Sequence, residues 1–371
     1  MKDWQTLAVE GHFTGDEPWV PYHERLAPAM ARIVGAREEE VVLMNSLTVN
    51  LHLMMVSFYR PRSHRYRLLI EKPAFPSDRY AVESQVRFHG LDPADALIEI
   101  GPRNGESVIR TEDVLEILDS RGESIALVML PGIQYYSGQR FDMPAITTAA
   151  RARGCRVGWD LAHAIGNVPL ALHDWDADFA VWCSYKYLNG GPGAVAGCFV
   201  HERHGQDPDL PRFAGWWGHE KATRFRMDPG FRPSPGAEGW QLSNAPILGM
   251  SAMKASLELF ASVGMDALRK KSEKLTGYLE YTVDQLAAEF PGESISVITP
   301  RDPLRRGCQI SMNCAGRERE LYDDLLAAGV IADFREPCII RMAPVPFYNS
   351  FEDVHTFGRV MRELLAQGPT K

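Results

Sequence analysis

Short apolar runs alternate with amphipathic stretches through the first two thirds of this chain, and that alternation limits the possible folds more than any other feature. Val41-Val42-Leu43-Met44, Leu68-Leu69-Ile70, Ile125-Ala126-Leu127-Val128-Met129-Leu130, Val157-Gly158-Trp159 and Phe179-Ala180-Val181-Trp182 read as strands. Residues 47–57, 78–88, 111–121 and 143–153 read as helices between them, with Ser77 and Asp142 standing where N-caps of the second and fourth belong. Strands that are apolar on both faces and separated by helices predict an α/β fold, with a mostly parallel sheet covered by helices. In such sheets ligands sit beyond the carboxyl ends of the strands. The residues just after the apolar runs are therefore the ones to examine for chemistry.

The pattern changes further along. Residues 204–242 are rich in Gly and Pro and read as loop, and two long helical patterns follow at 246–263 and 265–289. The remainder reads as a smaller α/β unit, with strands near Val297, Ile310 and Ile339 and helices at 318–328 and 351–366. This predicts an N-terminal segment (1–35), a large domain (36–255) and a small C-terminal domain (256–371). A chain of 371 residues can bury such a core without disulfides or metals. Its net charge of −8 and lack of a basic stripe argue against nucleic acid or an anionic membrane surface as main partner. No apolar run approaches the roughly 18–20 residues of a membrane span, and Met1-Lys2-Asp3-Trp4-Gln5 leads into no secretory signal. The six cysteines form no C-x-x-C pair, so a disulfide scaffold or structural zinc site is disfavoured and the cytoplasm is the expected compartment.

Two strand ends carry the most informative residues. Asp160 closes one apolar run, in Gly158-Trp159-Asp160-Leu161-Ala162-His163. Lys186 follows the next, in Cys183-Ser184-Tyr185-Lys186-Tyr187-Leu188-Asn189-Gly190-Gly191. A carboxylate and an amine placed this way suit pyridoxal 5′-phosphate: the lysine condenses with the cofactor aldehyde, and the aspartate keeps the pyridine nitrogen protonated. An ordinary buried ion pair would use the same residues. Asn45-Ser46-Leu47-Thr48 lies where a strand passes into a helix. The Leu47 and Thr48 amides and the Thr48 hydroxyl can serve a phosphate there, or Ser46 or Asn45 can simply cap the helix. Phe75 can stack on a pyridine ring or sit in the core. Arg341, in the apolar run Ile339-Ile340-Arg341-Met342, needs an anion: a substrate carboxylate or a structural salt-bridge partner. His201 and His204 read as surface residues and not as metal ligands, and no other metal site stands out. Arg269-Lys270-Lys271 with Lys274 reads as a solvated helix face.

Taken together these stretches resemble kynureninase, a fold-type I pyridoxal-phosphate enzyme, along almost the whole chain. The resemblance is carried by residues 44–53, Phe75-Pro76-Ser77-Asp78, Asp160-Leu161-Ala162-His163-Ala164 and Cys183–Asn189. It continues through Gly215-Trp216-Trp217-Gly218-His219, Ser243-Asn244-Ala245-Pro246-Ile247-Leu248 and residues 341–350. It implies a transferase-like fold of type I with a smaller C-terminal domain. It also implies that Lys186 carries the cofactor and moves protons, that Asp160 and His163 lie on the pyridine-nitrogen side, and that Phe75 stacks on the ring. Leu47, Thr48 and Tyr185 would contact the phosphate, and Ser77 and Asp78 would belong to the cofactor site. Trp216 and Asn244 match positions that reach the neighbouring subunit's cofactor, which implies a homodimer with shared active sites. Arg341 would hold the substrate carboxylate, His12 and Asn244 would face the substrate's aromatic ring, and Tyr136 would bind substrate from a loop of the active-site wall.

The implied reaction is hydrolysis of L-kynurenine or its 3-hydroxy form to an anthranilate and L-alanine, a step of tryptophan degradation and NAD biosynthesis, with Lys186, Tyr185 and Asp160 as the catalytic residues. The alternatives are a cofactor-binding homologue with lost or altered activity, or another fold-type I enzyme such as a desulfurase. Two departures from the family pattern stand out. Pro131 occupies a position usually held by serine or threonine, and proline offers no N–H. The resemblance also begins where family members are already under way, so their N-terminal arm, with its Gly-Asn-Ser-Leu-Gly type motif, has no counterpart in this sequence.

Overall fold

The computed structural model describes residues 2–368, which form two compact units. The first comprises residues 1–100, 111–132 and 143–263, and the second residues 101–110, 133–142 and 264–371. The sequence reading divides the chain at 255, a point inside a helix that ends at Val263. It also misses the two excursions, 101–110 and 133–142, by which the chain contributes to the second unit early.

In the first unit, helices α1 (Lys2–Leu7) and α2 (Ala27–Val34) precede strand β1 (Val41–Leu43), and helix α3 (Leu47–Phe58) leads to β2 (Arg67–Glu71). Helices α4 (Pro76–Phe88) and α5 (Pro93–Ala96) are followed by β3 (Leu97–Ile100), α6 (Thr111–Arg121), β4 (Ile125–Pro131) and α7 (Met143–Ala152). Then come β5 (Arg156–Asp160), β6 (Phe179–Trp182), β7 (Gly197–Val200), α8 (Glu202–Gly205) and α9 (Ile247–Val263). The sheet order is β1-β7-β6-β5-β4-β2-β3. Only β7 runs against its neighbours, so the sheet is mostly parallel, as expected. The sequence reading does not include β3 and β7. Both have four residues; Glu99 interrupts the apolar run of β3, and β7 opens on Gly197.

Alternate residues of the central strands (Leu68, Ile70, Leu127, Met129, Phe179, Val181) pack with Leu51, Met54, Met55, Val82 and Val86 of α3 and α4. Gly158 on β5 permits a close crossing: a Cβ there would stand 2.1 Å from the Phe179 ring. A side chain at 158 would therefore push apart the two strands whose ends bear Asp160 and the Lys186 loop. Among the described residues, no helix is long and apolar enough to cross a membrane.

His201 and His204 correct the sequence reading. They are 7% and 6% exposed, and His204 Nε2 lies 2.7 Å from Asp178 Oδ1 while His201 Nε2 lies 3.3 Å from Asp176. Asp178 lies 26 residues from His204 along the chain, so nothing local in the sequence signals the network. Glu40, His173 and His201 also come together. The Glu40 carboxylate there accepts hydrogen bonds from His173 Nδ1 and from the Glu202 and Arg37 amides, at 2.8–2.9 Å.

The second unit contains α10 (Met265–Glu289), β8 (Ser294–Val297), β9 (Ile310–Ala315), α11 (Glu318–Ala327), β10 (Asp333–Arg335), β11 (Ile339–Met342) and α12 (Phe351–Gln367). Its sheet, ordered β10-β11-β9-β8, is antiparallel throughout. The basic cluster on α10 is not simply solvated. Arg269 is 7% exposed and pairs with Glu273, and Lys271 Nζ donates to the Pro346 carbonyl at 2.6 Å.

Candidate active site

Two helix starts in the first unit are left without side-chain caps. The turn from β1 into α3 is held by Asn45, at φ 51, a conformation asparagine tolerates. Asn45 Nδ2 donates to Asn50 Oδ1 at 3.0 Å, and Asn50 Nδ2 donates to the Met44 carbonyl at 2.9 Å. Ser46 occupies the N-cap position but makes no capping bond, so no side chain caps the first turn, where the Leu47 and Thr48 amides lie. In α4 the N-cap is Phe75, with Pro76 in the first turn and again no capping bond. Ser77 therefore lies inside that turn, not at the cap as the sequence suggests; proline's fixed φ starts the helix one residue earlier. Thr48 Oγ1 and Ser77 Oγ stand 2.8 Å apart, joining the two helix starts. Uncapped N–H groups, two helix dipoles and two hydroxyls form a ready site for a phosphate.

Lys186 lies beside this cradle. Its Nζ is 5.7 Å from the centre of the Phe75 ring and 3.0 Å from His163 Nε2. Asp160 ends β5, is 6% exposed, and its Oδ1 accepts from the Ala162 amide at 2.7 Å. Asp78, from the first turn of α4, lies near enough to Asp160 to feel its charge and keeps one buried oxygen, Oδ1, without a partner. Burial, and then the charge of Asp160, hold the Asp78 carboxyl well above the usual aspartate range, with Lys186 pulling the other way. Glu71, the last residue of β2, is pushed up to about 8 by burial and by Asp160. Tyr185 is half-exposed, and desolvation followed by the neighbouring Cys183 pushes its phenol up to about 12, so it stays protonated at neutral pH.

Three buried carboxyls share one amine, and two of them, Asp78 and Glu71, are held above their usual range by burial and by the charge beside them, so the group favours a further cation. The partnerless Asp78 oxygen marks the same need. A protonated pyridine nitrogen supplies that cation, an aldehyde suits the amine of Lys186, a flat ring suits Phe75, and a phosphate suits the paired helix starts. The residues present fit pyridoxal 5′-phosphate.

The other sequence-predicted residues form separate groups. His12 packs edge-on to Trp19, with ring centres 5.1 Å apart. Phe13 meets Phe225 at 5.7 Å and Phe225 meets Trp216 at 5.5 Å, both edge-on, so His12 and Trp216 share one aromatic patch. Trp216 Nε1 donates to the Arg224 carbonyl at 2.9 Å. Asn244 is exposed, two residues beyond Leu242, whose carbonyl accepts from the Trp217 amide. Tyr136 and Arg341 belong to the second unit. Arg341 Nη1 donates to the Tyr135 carbonyl and Ser311 Oγ to the Tyr136 carbonyl, which ties segment 133–142 to β11 and β9. Arg341 already has an anion: Nε donates to Asp333 Oδ2 at 2.6 Å, from the position directly opposite on β10. The salt bridge that the sequence leaves as an alternative is thus present. Pro131 closes β4 opposite Asp160, and the next amide, Gly132, donates to the Asp160 carbonyl at 2.7 Å. Sequence reasoning misses Glu71: in Ile70-Glu71-Lys72 it reads as an ordinary charged strand end, and only its burial sets it apart.

Solved structures share this fold. A cysteine desulfurase from Thermococcus onnurineus superposes with a TM-score of 0.75 at 18% identity, over 94% of this chain and 84% of that one. An alanine–glyoxylate aminotransferase from Nostoc gives 0.69 at 15% identity, over 93% and 87%. A lysine-to-alanine mutant of C-DES, with glycine covalently linked to its pyridoxal-phosphate cofactor, gives 0.77 at 14% identity, over 91% and 84%. The fold, with the site it carries, is that of the fold-type I pyridoxal-phosphate enzymes.

Sequence relatives narrow the class. The family model described as "Kynureninase C-terminal domain" matches residues 268–361. Kynureninase of Koribacter versatilis is 57% identical over 96% of this chain and 83% of its own length. That of Salinispora tropica is 58% identical over 95% and 82%, and that of Flavobacterium johnsoniae 53% over 98% and 85%. The chain belongs to the kynureninase family.

Proposed function

We propose that this chain hydrolyses the Cβ–Cγ bond of L-kynurenine or 3-hydroxy-L-kynurenine, giving anthranilate or 3-hydroxyanthranilate and L-alanine. The observation that carries this reading is 57% identity to a kynureninase over 96% of the chain. When bound, the cofactor supplies an electron sink for the substrate's Cα. The rest falls to the protein. Lys186 removes the Cα proton and returns it, and His163, 3.0 Å from its amine, steadies that amine between transfers. Asp160 would hold positive charge at the pyridine nitrogen, Phe75 would set the plane of the ring, and Leu47, Thr48, Ser77 and Asp78 would hold the cofactor from the two helix starts. Water adds to the substrate's side-chain carbonyl, the Cβ–Cγ bond breaks with its electron pair left on Cβ, the aromatic acid departs, and Tyr185, a protonated phenol, relays to Cβ the proton given up by the added water. Arg341 holds the substrate carboxylate, with its charge already aligned by Asp333. Purified protein supplied with cofactor and kynurenine should release alanine and anthranilate in equal amounts. Sulfide from cysteine, with no anthranilate from kynurenine, would overturn the reading in favour of a desulfurase.

3-Hydroxykynurenine is the preferred substrate in this reading. His12 and Asn244, the two residues assigned to the substrate's aromatic ring, offer polar groups that can bond a phenol. A buried polar group left unpaired costs about 1–3 kcal/mol, which corresponds to a preference of roughly five- to more than a hundredfold in kcat/KM. His12 is half-buried against Trp19, which favours a fixed position. Equal specificity constants for the two substrates, or a preference that survives both His12→Ala and Asn244→Ala, would refute this.

The active form is a homodimer in which Trp216 and Asn244 reach the partner's cofactor. Support comes from the aromatic patch, where Phe13, Phe225 and Trp216 are 60%, 49% and 47% exposed, more than a monomer ordinarily leaves in water. Sedimentation should give a dimer; a monomer that binds cofactor tightly would contradict it. A cytoplasmic enzyme of tryptophan breakdown that feeds NAD biosynthesis completes the proposal, and the six free thiols are in keeping with a reducing compartment.

A further inference from the structure

His12 is assigned to the substrate's aromatic ring, yet among the described residues its imidazole makes no hydrogen bond, so ring packing has to fix it. Phe13, the next residue, is tilted against it at 6.3 Å but is 60% exposed. That leaves Trp19, edge-on at 5.1 Å, as the partner from elsewhere in the chain. The backbone is held from the same place. The Trp19 amide donates to the Gly11 carbonyl at 3.0 Å, and the Val20 amide donates to the His12 carbonyl at 3.1 Å. Gly11 makes this approach possible: a Cβ there would stand 2.7 Å from Trp19 Cζ2 and 2.8 Å from Cη2, so the indole lies directly on its backbone.

The segment that carries Trp19 is anchored to α9 on both sides of the indole. Glu17 pairs with Lys254, and the hydroxyl of Tyr22, itself 4% exposed, donates to Ser251 Oγ at 3.3 Å. Helix α9 starts at Ile247, three residues after Asn244, the other residue assigned to the ring. Trp19 thus joins His12 to the helix that follows Asn244. A cavity of about 370 Å³, lined by Trp4, Tyr22, Ile247 and Leu248 as well as Trp19, adjoins the indole and gives it room to turn if its contact with Gly11 is spoiled.

We propose that Trp19 is a positioning residue for substrate selection: by clamping Gly11 and His12 to the first half of α9, it holds the imidazole where it meets the 3-hydroxyl of the substrate. The inference rests on the reading of His12 given above. A fixed imidazole bonds a phenol without giving up side-chain freedom on binding, whereas a loose one gives it up and lets water compete. The clamp therefore acts on the choice between the two substrates and not on the proton transfers at Lys186 and Tyr185.

The test compares kcat and KM for 3-hydroxykynurenine and kynurenine in cofactor-loaded native protein, His12→Ala, Trp19→Ala, Trp19→Phe and Gly11→Ala. His12→Ala and Trp19→Ala should each lower the ratio of the two kcat/KM values by about fivefold or more, the lower end for one unpaired polar group. The loss should fall on KM for 3-hydroxykynurenine, with both constants for kynurenine within about twofold of native. Trp19→Phe keeps an aromatic edge against His12 and should recover about half of the lost preference or more. Gly11→Ala should reproduce the loss, and combining it with Trp19→Ala should add nothing, because the two changes break one contact. A ratio that falls with His12→Ala but stands in Trp19→Ala overturns the proposal. So does an equal fall for both substrates, the mark of a general loss of structure. Should Trp19→Ala fail to fold, Gly11→Ala decides by the same two criteria. If His12→Ala leaves the ratio unchanged, the reading of His12 fails, and this inference fails with it.

Discussion

Replacing Lys186 with alanine is expected to lower kcat for kynurenine cleavage by at least about four orders of magnitude, the upper range for a positioned general acid–base group. Among the described residues its amine is the one set over the Phe75 face, and it lies 3.0 Å from His163 Nε2. Alanine removes both the covalent anchor and the proton carrier. The fold should survive, because the side chain is half-buried and the Asn189 amide bonds to the Lys186 backbone carbonyl, which the change leaves intact. Borohydride should fix the cofactor to native protein at Lys186 and fix none to the variant. Mass spectrometry that finds the label on another lysine, or a variant that retains more than a few per cent of activity, would exclude the assignment.

The second large effect concerns Asp160. Asp160→Asn should lower kcat/KM by about 10²–10³, the cost of removing one preorganised electrostatic partner. Asparagine can still accept the Ala162 amide, now 2.7 Å from Oδ1, so local geometry is kept and the charge alone is lost. In the cofactor-free protein the same change should be stabilising, because Asp78 and Glu71 lose the like charge acting on them. A gain of about 1–2 kcal/mol, a few degrees in Tm, is the expected size. The pH dependence has a definite sign. Glu71 loses its proton near the ordinary 4.5 when unfolded and at about 8 when folded, so between those values the unfolded chain binds fewer protons. Stability of the cofactor-free native protein therefore falls as pH rises through that window and levels off above about 8. Asp160→Asn should make the fall slightly smaller, with burial keeping most of it. Thermal melts with the same slope and Tm in both proteins, together with unchanged kcat/KM, would rule this account out.

Much of the site can be read from the chain because strand ends in a parallel sheet are conspicuous. Asp160 and Lys186 each follow an apolar run, and the structure puts the groups near them, His163 and Phe75, around the same amine. Residues whose meaning depends on distant partners cannot be read this way. His201 and His204 look like surface residues until Asp176 and Asp178 are placed beside them. Arg341 could take any anion, and only the register of β10 on β11 sets Asp333 opposite it. Glu71 carries no local sign of burial, because the β2–β4–β5 order that encloses it arises from residues spread between 67 and 160. Local chemistry also misleads at one helix start, where Ser77 looks like a cap but Pro76 begins the helix first.

The way the chain is divided between its two units also limits how such an enzyme can be rebuilt. Each unit is made of three pieces, so the chain passes between them five times. Segment 133–142 supplies the Tyr135, Tyr136 and Ser137 carbonyls, which accept from Gln309, Ser311 and Thr299 of the C-terminal part. A fragment starting at 264 would leave those side chains without the main-chain groups they bind. No single crossover point exchanges one unit whole. Recombination between relatives has to carry 101–110 and 133–142 along with the C-terminal stretch, or else inherit a mismatched lining around Arg341. For the same reason, proteolytic nicking after Val263 would leave the pieces associated instead of shedding a free domain.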